Sequence, residues 1–334
     1  MKMLYLLLSI FIFLASCFPD KKPPEHIVNI SDAIDWGSIV KNFDTWHGRS
    51  IDKYTRRIAG GHEEFFVIAS NDSIELIEYN FFPRSAAVDY LEIPNTFSGK
   101  PVRIIGNSAF YERRISTLKL PAYLEIIQNA AFFGSSIEKI LFNESLTIIG
   151  AQSFTLSRVR DLVIPDSVTT LGRMAFSSGS IERLTIGSGL RTISESAFHG
   201  NPITTVTFSE GLEVIEQGAF WATSIREVTI PATVYRIGSN AFGFVSVVTI
   251  GNNVMLAERT TSGAHSWWND FAVFYNRSGK RAGTYRISER LVPGGVGNHW
   301  LHEDDWDEPK YVEAREQVRL FREAMNAHFA DEDI

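Results

Sequence analysis

Two stretches of the 334-residue sequence hold side chains whose type and spacing could do chemistry. The first is Cys17, the only cysteine. A lone thiol can act as a nucleophile or take up a covalent group, and it cannot close an internal disulfide. The second is the run His299, His302, Glu303, Asp304, Asp305 and Asp307, which collects imidazole and carboxylate donors. Its spacing matches no strong zinc or calcium pattern, so the run reads as a solvated acidic loop without metal. Ser and His occur elsewhere without an elbow or triad-like context. Gly279-Lys280 lacks the upstream glycine of a phosphate-binding loop and reads as a turn. No clustered acid, base or nucleophile remains, and the sequence points away from an enzyme and requires no cofactor.

The residues around Cys17 decide what its thiol is for. Met1-Lys2-Met3 is a positive start, and Leu4 to Leu14 is apolar apart from Ser9. Such a stretch spans about 16 Å at roughly 1.5 Å per helical residue, half a bilayer core of ~30 Å. That length suits a signal-peptide core and not a spanning helix. Leu14-Ala15-Ser16-Cys17 resembles the bacterial lipobox, in which the thiol is acylated before cleavage. The resemblance implies loss of residues 1–16 and a mature N-terminus at Cys17, with each acyl chain adding about 0.8 kcal/mol per buried methylene. An ordinary secretory signal with an incidental Cys is the alternative. Residues 17–26, with Asp20, Lys21, Lys22, Pro23 and Pro24, read as a tether.

Charge is unevenly placed. The formal net charge is -7, and residues 301–334 alone carry eleven acidic and four basic side chains. The body is therefore near neutral and offers no concentrated basic face for nucleic acid.

The body repeats. Phe110, Phe132, Phe154, Phe176, Phe198, Phe220 and Phe242 recur every 22 residues, with Ala before all but Phe154, where Ser153 stands. Five residues before each ring stands Ile105, Ile127, Ile149, Leu171, Ile193, Ile215 or Ile237. After each comes an apolar-x-x-apolar-x-apolar pattern such as Ile115, Leu118 and Leu120. The alternation in that pattern predicts a short strand with one face inward. Pro121, Pro165 and Pro231 end three of the strands. Gly106, Gly150, Gly172 and Gly238 follow the anchoring Ile or Leu, where a tight turn is expected. Gln128, Ser194 and Glu216 fill the same slot, so a positive φ is not required there. One coil buries six or seven side chains worth about 1.5–3 kcal/mol each. Ordering its backbone costs about 1–2 kcal/mol per residue. Stacking on neighbours is therefore obligatory, and the rings are expected to form one continuous column.

This text resembles the BspA-type leucine-rich repeats of bacterial surface proteins. Ile225 to Pro231, then Val234, Ile237-Gly238 and Ala241-Phe242, follow that consensus closely. The segment 93–102 is similar to the longer opening coil of such proteins, and 276–285 resembles the closing segment of spirochaete members. The slot that carries Asn or Cys in ordinary leucine-rich repeats holds Tyr123, Ser145, Ser167, Gly189, Gly211 and Thr233. The implied fold is a repeat solenoid, mostly strand and turn, with an N-terminal cap and a C-terminal helix. The implied function is envelope-exposed binding of a protein or other macromolecule, often adhesion to host matrix proteins. A periplasm-facing structural or assembly lipoprotein is the second reading.

The expected organisation is a signal peptide over 1–16, a lipidated tether over 17–26 and a flank and cap over 27–92. The solenoid then occupies 93–251, an irregular cap 252–307 and an acidic helix 308–334. Ser31 followed by Ala33, Ile34, Trp36, Ile39, Val40 and Phe43 predicts a helix in the flank. Tyr311, Ala314, Val318, Phe321 and Met325 share one stripe of the C-terminal helix. The candidate partner face consists of side chains pointing outward from the strands. One column is Thr117, Lys139, Asp161, Arg183, Thr205 and Glu227, and beside it run Lys119, Leu141, Val163, Thr185, Thr207 and Thr229. An ordinary solvated sheet face reads equally well.

Overall fold

The computed structural model describes residues 45–46, 49–58, 61–82, 87–257, 267–292, 295–306, 308–309, 312–320 and 323. Cys17, the tether, the helix expected after Ser31, Asp307, Tyr311, Phe321 and Met325 lie outside the described residues. The fold concerns the unit that begins at Arg49.

Each winding contributes an outer strand, a turn, a second and shorter strand, and a tight turn that carries the Phe. The chain makes about 7 such turns at roughly 22-residue spacing, a β-solenoid. The longer strands include Arg114–Lys119, Ser136–Leu141, Asp161–Ile164, Arg183–Ile186, Thr205–Thr207, Glu227–Thr229 and Val247–Ile250. They form what we term the A strip. The two-residue strands, from Ile126–Ile127 through Met255–Leu256, form the B strip. Both strips pair in parallel with an offset of one coil, as in Leu162↔Leu184 and Ile127↔Ile149.

The seven Phe side chains are fully buried. Their rings stack face to face with centroids 4.7, 4.9, 5.0, 5.9, 5.4 and 5.1 Å apart, and no interplanar angle exceeds 17°. The Ala before six of the rings and Ser153 before Phe154 are equally buried.

The backbone of the Phe turn has its own ladder. In the turn of Phe132, Ala130 N–H donates to Ala151 O, Phe132 N–H to Ser153 O and Gly134 N–H to Thr155 O. The same three donors recur at Met174, Phe176 and Ser178. Positive φ two residues before and after the ring swings those amides into line: Ala130 has φ 55°, Gly134 70°, Met174 56° and Leu156 69°. All donors point toward the C-terminal end, so this ladder is polar, unlike a β ladder whose dipoles alternate.

The left-handed positions therefore sit on either side of the ring, and not at the glycines after the anchoring Ile, none of which has positive φ. Gly150 is needed there for close approach, since a Cβ would lie 2.6 Å from the Gln128 carbonyl carbon.

At the N-terminal end, β1 (Asp52–Ile58), β2 (Gly61–Ala69) and β3 (Ile74–Phe82) form an antiparallel meander, and β3 joins the B strip in parallel with Lys100–Ile105. Tyr79 occupies the ring slot ahead of Phe110, 5.0 Å away and stacked. At the other end α1 (Trp267–Arg277) places Trp268 against Phe242 at 4.7 Å. A hairpin of β4 (Gly283–Val292) and β5 (Gly295–His302) adds antiparallel to Val247–Ile250. Within the span expected as an irregular cap, the described residues include this helix and hairpin. Trp268, Phe271, Ala272 and Tyr275 carry helical spacing and are all buried, and they continue the aromatic core once the 22-residue period stops.

Candidate partner-binding face

Leu162, Ile164, Leu184 and Ile186 turn into the core, so Asp161, Val163, Arg183 and Thr185 must turn out. The pairing sets Asp161 beside Arg183 and Thr205, and Val163 beside Thr185 and Thr207. Val163 is 60% exposed, the most exposed large apolar side chain among the described residues. Lys139 stands beside Thr117 in the neighbouring sheet, and Glu227 beside Val247 in the next. The six residues of the first column thus fall on three sheets and not on one unbroken ladder.

Part of the charge is already committed within the chain. Arg183 Nη2 donates to Asp161 Oδ2 at 2.7 Å, and hydrogen bonding to that carboxylate raises the guanidinium pKa. Lys119 Nζ lies 2.7 Å from Glu92 Oε1, which likewise raises its pKa. Lys139 and Glu227 have no ion-pair partner among the described residues, and both are exposed. The face is a mosaic of internally paired ions, two uncommitted charges, a threonine row and one bare valine.

Within the histidine and acid run, His302 serves structure. His302 is buried: its Nδ1 accepts from the Asp304 amide, and its Nε2 lies 2.9 Å from Ala282 O. A Cβ at position 283 would overlap the imidazole, which explains Gly283. Arg281 reaches Asp305 at 3.4 Å. Among the described residues no group of three or more His, Cys, Asp or Glu could hold a metal ion. Trp300 is buried, and Trp306 lies 4.4 Å beneath the Arg315 guanidinium. Val318 of the C-terminal stretch is buried as well.

One set of residues was not singled out from sequence. Three places after four of the seven Phe stand Ser135, Ser157, Asn201 and Thr223, all buried and polar. Ser135 Oγ donates to Phe110 O, and Thr223 Oγ1 to Phe220 O at 2.8 Å. Asn201 Nδ2 reaches Phe176 O at 2.7 Å and Phe198 O at 3.0 Å, while its Oδ1 accepts from Ile181 N–H. Ser135, Asn201 and Thr223 thus satisfy carbonyls that the Phe turn leaves buried. A tally of small polar residues at the 22-residue period would have found it.

Fold and face together define a bacterial-type leucine-rich-repeat solenoid. The chain belongs to the BspA type leucine rich repeat family, whose profile matches six copies over residues 75–201 and 127–248, just over half of the sequence. No curated protein matches it significantly. Among solved structures it is similar to a leucine rich cell surface protein from Faecalibacterium prausnitzii A2-165. The identity is 22% over 60% of this chain and 55% of the other, with a TM-score of 0.44. The pneumococcal vaccine antigen PcpA matches at 19% identity over 60% and 51% of the two chains, TM-score 0.38. A T. pallidum leucine rich repeat protein matches at 20% over 47% and 86%, TM-score 0.37. The chain spans about half the length of the first two. No helix among the described residues is long and apolar enough to cross a membrane.

Proposed function

We propose that the protein is a lipid-anchored envelope protein that binds a protein partner through the A strip, in an adhesive or assembly role. The anchor is acylated Cys17, the tether is 17–26, and the organisation runs through a cap to 92, a solenoid to 251 and the closing module beyond it, with a closing segment like that of spirochaete members. The observation that carries the binding role is the exposed Val163 set among Asp161, Arg183, Thr185 and Thr207 on a stacked core. An apolar side chain held bare on a rigid strand costs nothing further to order when a partner covers it. Lys139 and Glu227 supply uncommitted charge at its margins for steering. A matrix protein of the host fits this face as well as a neighbouring envelope protein does.

The test has two arms. Val163→Arg and Lys139→Glu, which leave the internal ion pairs intact, are expected to lower partner capture by cells at least about tenfold without lowering the melting temperature, the size of loss typical of a contact hot spot. Unchanged capture by both variants would refute the face. Globomycin-sensitive processing and palmitate labelling lost in Cys17→Ser check the anchor. Protease digestion of the protein on intact cells separates an outward location from the periplasm-facing reading.

A further inference from the structure

The Phe-turn ladder bridges every pair of neighbouring coils, but the B strip does not. Thr169 and Thr170 N–H donate to Thr147 O, and Gly172 N–H donates to Ile149 O. Two coils further on, Glu213 and Val214 N–H donate to Arg191 O, and Glu216 N–H to Ile193 O. Between these coils the equivalent donors are Arg191, Thr192 and Ser194. Among the described residues no backbone hydrogen bond joins them to Thr169 or Leu171. The sheet that contains Thr170–Leu171 ends there, and Thr192–Ile193 begins another. Only the Ser194 hydroxyl reaches across, to Leu171 O, with the exposed Arg173–Glu195 pair beside it at 3.0 Å.

Two further observations fall on the same junction. Phe176 and Phe198 are the most widely spaced rings of the column, at 5.9 Å. At the turn from A to B strip, by contrast, the same coils are pressed together. A Cβ on Gly189 would overlap Asp166 O, and one on Gly187 would lie 2.6 Å from Ile164 O. Other coils carry Pro121, Pro165 or Pro231 at the first of these positions. This junction is thus closely packed at the Gly187–Gly189 corner while it lacks backbone bonds along the B strip. The A strip stays paired across the junction from Asp161↔Arg183 to Ile164↔Ile186.

We infer that the solenoid is jointed at this junction: the blocks on either side bend about the line through the paired strands Asp161–Ile164 and Arg183–Ile186 and the bonded turns of Phe176 and Phe198, and the B strip between Leu171 and Ile193 opens and closes. The A strip and the Phe-turn ladder both stay bonded across this junction and the B strip does not, so the two bonded lines define the axis about which the third side opens. Bending changes the angle between Val163 and Thr185 on the exposed face, so the joint would adjust that surface to whatever it covers. The proposal does not depend on the identity of a partner or on the face being a binding site.

Hydrogen exchange on the full chain tests it without a ligand. The Arg191, Thr192 and Ser194 amides are expected to exchange at least about tenfold faster than Thr169, Thr170 and Gly172 below and Glu213, Val214 and Glu216 above, as local opening requires. Exchange within about twofold of both neighbours overturns the joint, because equal protection means an equally closed strip. Spin labels in a Cys17→Ser background give an independent reading. The pair Thr169→Cys and Arg191→Cys should show a broad distance distribution, and Val163→Cys with Thr185→Cys a narrow one. Equal widths for the two pairs would also overturn it, even with fast exchange.

Discussion

The Phe turn and the strand strips do the same job by different means. Each passes hydrogen bonds from coil to coil, yet the strips are interrupted and the Phe turn is not. The A strip breaks after Leu141 and again after Thr207, and the B strip breaks after Leu171. Across those junctions Gln152 donates to Arg173 O, Met174 to Glu195 O and Gly218 to Ser239 O without a gap. The breaks never coincide at one junction. Continuity of the stack therefore resides in the ring column and its polar backbone ladder. The strips are free to vary, and they carry the surface.

That contrast can be broken at several points. Phe176→Ala should cost about 3–5 kcal/mol in urea denaturation, as expected for a fully buried ring whose site cannot collapse. An equally buried residue at a strip interruption, Leu171, should cost less when changed to Ala, and a reversed order would undo the comparison. Asn201→Ala leaves two carbonyls and one amide buried without partners, and should cost about 1–3 kcal/mol.

A smaller effect concerns pH at the N-terminal end. Burial, followed by Glu63, holds the Tyr79 phenol well above its usual 10.0. Burial and Glu112 push Tyr111 up to about 12. Raised acid groups stabilise the fold fully below their unfolded value, and that contribution is lost as pH climbs toward the folded value. Melting temperature is therefore expected to fall above pH 10, and Tyr79→Phe to flatten the slope. A slope identical to wild type would remove Tyr79 from the account. Smaller still, Leu156→Gly should stabilise by up to about 1 kcal/mol, because Leu156 is exposed with φ 69° and a left-handed backbone penalises a Cβ.

The repeat was legible because the Phe and the Ile or Leu five places earlier answer to the same packing constraint seven times, and the Ala beside the ring six times. Position within the coil was legible for the same reason: Val163 points out because Leu162 and Ile164 point in. What the pattern hid was anything that occurs once. Tyr79 enters the ring column from a strand far outside the period, and Trp268 enters it from a helix. The Asp161–Arg183 pair needs register as well as composition. The left-handed positions carry no residue signature of their own: Ser108, Gln152 and Met174 occupy them, because the ladder of donors and not side-chain preference selects that geometry.

The central claim is that the A strip around Val163 is the surface that meets a partner. A photo-crosslinking residue placed at Val163 in living cells, against controls at the exposed Thr170 and Tyr235 of the opposite strip, tests it most directly. The account requires one discrete adduct from position 163 and none from 170 or 235. No adduct at 163, or adducts at the controls alone, would contradict it.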